Sequence, residues 1–409
     1  MKSLIPIHFF LMLYSISFSQ TLSMQELIDL ALKNNPTTHA STLEIERQTK
    51  LKRASSEIPK TDVSFMYGQY NSVYDQDNNL TISQSIPFPT VFTSQSRLAK
   101  ERILSATLQD KITRNELALK VKHLVNRALY LKALQQTWMK YDSLYTDLTR
   151  IAEIQYKTGE GTLLSKTSAE TLWREMQDKK YRNEVDIQVT LQHLQLLCQD
   201  SGSIDVTGSL ENLVDSISIE EIALETNPTL ALAQQEVIVS TWQRKTSAAQ
   251  ALPDLRIGYF NQTLVGTQNV NGQDQYFGPS KRFQGFQVGI AIPLWMVPSL
   301  ATVKAARIEE TISEKRSEAI QLALTQEHAK ALQDYNKNAK SLVYYKDFAI
   351  KTTDLLIHQS KLAYKNGEVD YNTLLLNYRQ ALGIQENYWN AWQEYNQSIF
   401  ILQYLNGTY

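Results

Sequence analysis

The sequence contains one cysteine, Cys198, in 409 residues. That excludes a disulfide framework and any cysteine-based zinc site within a single chain. Glycine (14) and proline (10) are also scarce, each near half of the average usage of roughly 7% and 5%. A chain with so few breakers of regular structure is expected to be mostly long helix. Neither sign of charge dominates, with 41 Lys and Arg against 42 Asp and Glu, so there is no basic field for nucleic acid and no acidic tail. Beyond residue 20 no uninterrupted apolar run approaches ~18 residues, which excludes a polytopic helical membrane protein.

Catalytic signatures are missing as well. His39, His123, His193, His328 and His358 have no His or Cys partner at helical i+3 or i+4 spacing, so no metal site is read within one chain. There is no G-x-S-x-G, no H-E-x-x-H and no phosphate-cradling glycine loop. Carboxylates are spread along helical faces beside Lys and Arg, as on solvated helices. Neither an enzyme nor a cofactor is expected.

The N-terminus carries Lys2, then an apolar stretch from Leu4 to Phe18, then small residues in Ser17-Phe18-Ser19 before the polar Gln20. This reads as a signal peptide over 1–19. No cysteine lies near the cut to carry a lipid anchor.

The rest is a duplication. Asn34-Asn35-Pro36-Thr37 recurs as Thr226-Asn227-Pro228-Thr229, each after a short amphipathic turn (Leu22 to Leu27, Ile217 to Ile222). Ile86-Pro87-Phe88 recurs as Ile292-Pro293-Leu294, and Tyr156-Lys157-Thr158-Gly159-Glu160 as Tyr364-Lys365-Asn366-Gly367-Glu368. The collinear order places one repeat over 20–216 and a second over 217–409. No Pro or Gly occurs from Thr90 to Thr158 or from Ser299 to Asn366, and each stretch could run about 100 Å as one helix. Glycine then interrupts (Gly159 and Gly161; Gly367), and a second helical run follows to about Cys198 and Leu405. Each repeat therefore carries one very long antiparallel helical hairpin, over 90–200 and 298–405. Leu117, Val121, Leu124, Ala128, Leu131, Gln135 and Trp138 follow the a/d spacing of a coiled-coil seam. Ile187, Leu191, Leu194 and Cys198 continue it on one return helix, and Trp392, Tyr395, Ile399 and Leu402 on the other.

Over 61–88 and 254–293 the period changes to two. Val63, Phe65 and Tyr67, then Leu80, Ile82 and Ile86, alternate with small or polar residues. Leu255, Ile257 and Tyr259, then Phe286, Val288, Ile290 and Ile292, do the same. Such alternation fits a small soluble antiparallel sheet or barrel strands with lipid outside and water inside. The export signal, the bounding prolines and the aromatics at the strand ends (Tyr70, Tyr74, Phe88, Phe92, Phe260, Phe283, Trp295) favour the barrel. The connections, Asn71 to Asn79 and Asn261 to Lys281, read as polar external loops. Four strands cannot close a barrel, and an open edge in lipid leaves backbone groups unpaired. An obligate oligomer follows.

With this repeat, the Asn-Pro and Ile-Pro pairs and the Tyr-x-x-Gly-Glu turns in this order, nearly the whole chain resembles the TolC family of outer-membrane efflux ducts. The Phe88-Pro89-Thr90 exit and the missing anchor cysteine look most like the branch that serves heavy-metal pumps of the resistance-nodulation-division class. The resemblance implies a homotrimer: a twelve-stranded barrel in outer-membrane lipid, a helical tunnel in the periplasm, and an equatorial belt, here Gly202 to Ser218 with the C-terminal residues. It also implies partners, a periplasmic adaptor and an inner-membrane transporter. The alternative is a secreted coiled-coil structural or adhesion protein with small soluble sheets.

The tips, Lys157, Gly159, Glu160, Lys365, Gly367 and Glu368, are the candidate adaptor contacts. In the family, acidic residues six and nine positions after the second glycine commonly ring a constriction. Here those positions hold Thr373 and Leu376, and the nearby acids are Glu368 and Asp370. Tyr364, Asp370, Thr373 and Leu376 are the gate candidates, with Asp370 as either a ring charge or a helix cap.

Overall fold

The computed structural model describes residues 20–200, 202–214 and 224–407. The signal peptide read over 1–19 and the amphipathic turn read at Ile217 to Ile222 lie outside the described residues, as does part of the belt.

The first repeat opens with β1 (Gln20–Leu22), α1 (Met24–Asn34), α2 (Pro36–Ala54), β2 (Asp62–Tyr67) and β3 (Asn78–Ile86). The helical hairpin α3 (Pro89–Thr158) and α4 (Leu163–Cys198) follows, then β4 (Ile204–Val206). The second repeat contains α5 (Pro228–Gln250), β5 (Asp254–Gln262), β6 (Gly266–Val270), β7 (Gln273–Phe277) and β8 (Phe283–Ala291). It closes with α6 (Met296–Tyr344), a π-helical turn (Tyr345–Ala349), α7 (Ile350–Lys365) and α8 (Tyr371–Leu405).

Local chemistry sets many of these boundaries. Ser23 caps α1 in a capping box with Glu26. The Asn-Pro pairs start helices rather than end them. Asn227 accepts from the backbone N–H groups of Thr229 and Leu230, with Pro228 in the first turn of α5. Asn35 accepts from Thr37 in the same way at the start of α2. The helices that follow, α2 and α5, run for 19 and 23 residues, since Pro in the first turn is compatible with helix.

The chain forms two compact units, each drawing segments from both repeats. The first comprises the described residues within Met1–His39, Ile112–Leu224 and Thr325–Tyr409. One of its cores joins Leu27, Ile28 and Ala31 of α1 to Leu117, Val121, Val125 and Ala128 of α3, with Leu194, Cys198, Tyr388 and Trp392. The parallel pair β1–β4 closes that core through Leu22, Ile204 and Val206; the sequence reading had no strands there, since three-residue strands carry no periodic signal. A second core gathers Trp138, Tyr141, Tyr145, Met176, Leu374, Leu375 and Tyr378.

The expected α3 seam is real: Leu117, Val121, Ala128, Leu131 and Trp138 are buried, and Leu124 and Gln135 half-buried. Polar side chains interrupt it. Buried Asn115, Asn126, Asn183, Asn338 and Asn396 each donate from their side-chain amide to a backbone carbonyl, of Tyr404, Gln393, Leu131, Glu394 and Leu210 respectively.

The second unit comprises Ala40–Lys111 and Glu225–Leu324. Its helices are joined by Gln235, which donates to the Glu101 carboxylate at 2.8 Å, and by the Arg244–Glu310 ion pair at 2.6 Å. Its sheet runs in the order β2-β3-β5-β8, antiparallel throughout.

Two expectations need correction. The connection Asn261 to Lys281 is not an irregular loop: it folds back as the β6–β7 hairpin through Asn271 (φ 56) and Gly272 (φ 85), the left-handed pair that a two-residue hairpin turn demands. The long run from Ser299 is helical to Lys365, but its α-helical bonding is broken by the π turn at Tyr345–Ala349. A π turn inserts its extra residue without proline or glycine, so composition gives no warning of it.

Lys122 is buried, donates to the Gln403 amide oxygen at 2.6 Å and lies 5.6 Å from the Phe400 ring centre. Burial pulls its ammonium down to about 8 from 10.5. Between those two values the unfolded chain binds more protons than the folded one, so stability rises with pH through that window. Lys122→Met is therefore expected to raise stability at pH 7 by up to about 3 kcal/mol and to flatten the rise. Thermal melts of both proteins from pH 7 to 10.5 check this.

Candidate functional site

Two regions concentrate the unusual chemistry: the four-stranded sheet and the two glycine turns. Strand register puts the apolar residues on one face. Val63 pairs with Ile82, Ile82 with Tyr259, and Tyr259 with Phe286; Ile257 pairs with Val288, and Leu255 with Ile290. This face is bare. Phe286 is 87% exposed, Val288 74% and Ile290 66%, and the band continues through Leu294, Trp295 and Val297 into the start of α6. Isolated exposed hydrophobic residues are normal, but a contiguous band of this size marks an interaction surface.

Gln84 interrupts the band, and its amide is fully engaged: it donates to the carbonyls of Pro59 and Ser85 and accepts from the Thr61 hydroxyl. The opposite face carries Ser64, Thr81, Ser83, Ser85, Arg256, Gly258, Gln287 and Gly289. Phe260, also on this face, lies over Gly285, where a Cβ would come within 2.7 Å of it.

β2 and β8 are the sheet's edges. At the end away from the helices, buried Asp77 accepts from the Ser72 hydroxyl, the Thr263 hydroxyl and the Val265 N–H. These bonds hold its carboxyl below the usual range in spite of burial, and they fasten the two loops of the sheet together.

At the other candidate region, Gly159 (φ 80) and Gly367 (φ 73) adopt the left-handed conformation that favours glycine after a helix end. After α7, the Gly367 and Glu368 N–H groups bond to the carbonyls of Tyr364 and Ala363, a complete Schellman closure. Thr162 caps α4 through the Ser165 N–H at 3.1 Å.

The tip charges stand in solvent. Lys157 pairs with Glu153 at 2.8 Å, one helical turn back, and Glu160, Lys365 and Glu368 are exposed. Asp370 caps α8, accepting from the Thr373 N–H at 2.7 Å; the Thr373 side chain, and then its N–H, hold the Asp370 carboxyl below the ordinary range. Thr373 and Leu376 are exposed on the first turns of α8.

Tyr364 is different. Its hydroxyl accepts from the Gln155 amide at 2.8 Å, and its ring packs edge-on against Tyr371 at 5.8 Å. Tyr371 in turn is buried and donates to the Leu148 carbonyl. Tyr364 thus ties the end of α7 to α3 within the first unit. Gln155 is the partner that sequence reading missed, because only the lateral pairing of the two hairpins brings it there.

Among the described residues no three His, Cys, Asp or Glu side chains group as metal ligands would, and no helix is long and apolar enough to cross a membrane.

A four-stranded sheet with one bare apolar face and very long helical hairpins make up a fold that solved outer-membrane channels share. Three solved structures share the fold over nearly their whole length. CusC, described in connection with folding and transmembrane channel formation, superposes with a TM-score of 0.79 at 16% identity, over 96% of this chain and 94% of that one. The outer-membrane protein VceC of Vibrio cholerae gives 0.75 at 14%, over 94% and 96%. The open state of the MtrE outer-membrane channel of Neisseria gonorrhoeae gives 0.70 at 16%, over 94% and 89%. No family model and no curated protein matches the sequence. The chain has the fold of these channels.

An arginine on the bare face tests its environment. Val288→Arg is expected to cost roughly 2–4 kcal/mol per chain near a bilayer midplane and to abolish assembly in the membrane. Gly289→Arg, its neighbour on the polar face, is expected to be tolerated. Heat-modifiable oligomers on gels of membrane fractions check the difference; equal tolerance at both positions would contradict a lipid-facing band.

Proposed function

We propose that this protein is the outer-membrane channel of a tripartite efflux system, a TolC-family exit duct with no catalytic step of its own. The observation that carries this reading is the sheet: a bare apolar face, a polar face behind it and two open edges, in a chain with the fold of such channels. In lipid those edges must be paired, and three copies of four strands supply a closed twelve-stranded barrel. The helical hairpins then form a periplasmic tunnel, through which substrate passes under the drive of an inner-membrane pump of the resistance-nodulation-division type. The cargo class is a metal ion or a drug. A soluble adhesion protein has no use for so large an exposed apolar face.

The glycine turns dock a periplasmic adaptor through Lys157, Glu160, Lys365 and Glu368. In a strain lacking the gene, the wild-type protein is expected to restore efflux of the pump's metal or drug substrate. A Glu160→Lys, Glu368→Lys double variant is expected to form the same oligomers without restoring it. Full resistance with the double variant would refute docking at the tips, and recovery of the wild type in a soluble fraction would refute the duct.

The gate lies in the same region. The Tyr364–Gln155 bond ties one hairpin to the other, and three Asp370 carboxylates, kept ionised by their capping bonds, favour cations at the mouth. Cation preference in planar-bilayer recordings is expected to fall in Asp370→Asn and to reverse in Asp370→Lys. Unchanged selectivity in both would move the constriction to Leu376.

A further inference from the structure

Between α3, α4 and α8 in the first unit lies a cleft of about 200 Å³ that none of the preceding roles uses. Leu172, Met176 and Leu382 give it an apolar lining. Tyr145, also in its wall, is 2% exposed, and its hydroxyl lies behind the cleft surface with no hydrogen-bond partner among the described residues.

Gly383 widens the cleft. Glycine inside a helix is less favourable than alanine, yet a Cβ at Gly383 would meet nothing within 4 Å. Close packing therefore does not require glycine there; its effect is to leave room.

The charges are arranged in two kinds. Lys179 and Glu386 pair at 3.0 Å, and Glu386 also accepts from the Trp138 indole N–H at 2.6 Å, so these two form a fixed part of the wall. Glu175 on α4 and Arg379 on α8 make no ion pair or hydrogen bond among the described residues, although both act electrostatically on the Tyr145 hydroxyl. The cleft thus presents one uncommitted carboxylate and one uncommitted guanidinium over an apolar lining. A purely anionic ligand would leave Glu175 unmatched, and a purely cationic one would leave Arg379 unmatched.

We propose that this cleft binds a small zwitterion with an apolar body, an amino-acid-like molecule. Its ammonium meets Glu175, its carboxylate meets Arg379 in the forked geometry that guanidinium favours, and its body covers Leu172, Met176 and Leu382. Binding joins α4 to α8 and stabilises the pair by mass action.

The test is calorimetric titration of the purified full-length protein in detergent with L-phenylalanine, 3-phenylpropionate and phenethylamine. L-Phenylalanine is expected to bind saturably and at least tenfold tighter than either singly charged analogue. Gly383→Leu is expected to abolish binding while keeping the melting temperature. Arg379→Gln is expected to bring L-phenylalanine down to the affinity of phenethylamine while keeping the melting temperature, a loss that a merely solvated arginine would not give. No saturable binding, an analogue as good as L-phenylalanine, or unchanged affinity in Gly383→Leu would each overturn the proposal.

Discussion

The two open edges of the four-stranded sheet are the constraint on which the rest depends. β2 and β8 each present a row of backbone donors and acceptors with no strand partner among the described residues. In water those groups would be solvated, but the exposed side chains beside them, Val63 and Phe65 on one edge and Phe286, Val288 and Ile290 on the other, are what lipid would cover. Within hydrocarbon each unpaired backbone group costs several kcal/mol. A lone chain can therefore satisfy its side chains in lipid or its backbone in water, and only edge-to-edge pairing with other copies satisfies both. In the proposed barrel, oligomerisation is a condition of membrane insertion, and a water-filled passage is a consequence of placing the polar face inside.

The helices answer a different problem. A helix of 70 residues such as α3 with a thin apolar stripe can slide along its neighbour at little cost, since one heptad resembles the next. Buried amides remove that freedom. Asn126 reaching the Gln393 carbonyl, or Asn338 reaching that of Glu394, can make its bond in one register only, and a slip would leave the amide buried and unpaired. The stripe supplies attraction and the asparagines supply position. Near the tips Tyr364 and Tyr371 act in the same way, each joining its own helix to α3 by one hydroxyl. Tyr371 is itself part of the second core and Tyr364 packs at its margin, so the two ties differ in how firmly they are held.

Much of this was legible in the amino-acid order, because the signals are of the strongest kinds. The absence of Pro and Gly located α3 almost to the residue, and the glycines at 159 and 367 sit where φ is positive. Period-two alternation found all four sheet strands. The misses have physical causes. The β6–β7 hairpin was announced by Asn271-Gly272, but its strands are polar on both faces and show no hydrophobic period. The π turn at Tyr345–Ala349 changes hydrogen bonding without changing composition. The tie from Gln155 to Tyr364 and the cleft beneath Tyr145 depend on lateral packing between helices distant in sequence, and a single helix's own pattern does not contain its partner's register. Asp370 had two readings, of which the helix cap is present in the fold as the bond it accepts from the Thr373 N–H.

The most direct test of the account is disulfide crosslinking between the sheet edges in intact outer membranes. One cysteine is placed on β2 and one on β8, with the pair stepped through successive registers. The native Cys198 is buried and its thiol is pushed up to about 11, so it does not compete. Edge-to-edge pairing predicts covalent dimers and trimers at alternate registers, with reduction returning the monomer. Monomers at every register, from cysteines that still react with a thiol reagent, would contradict the shared barrel on which the account rests.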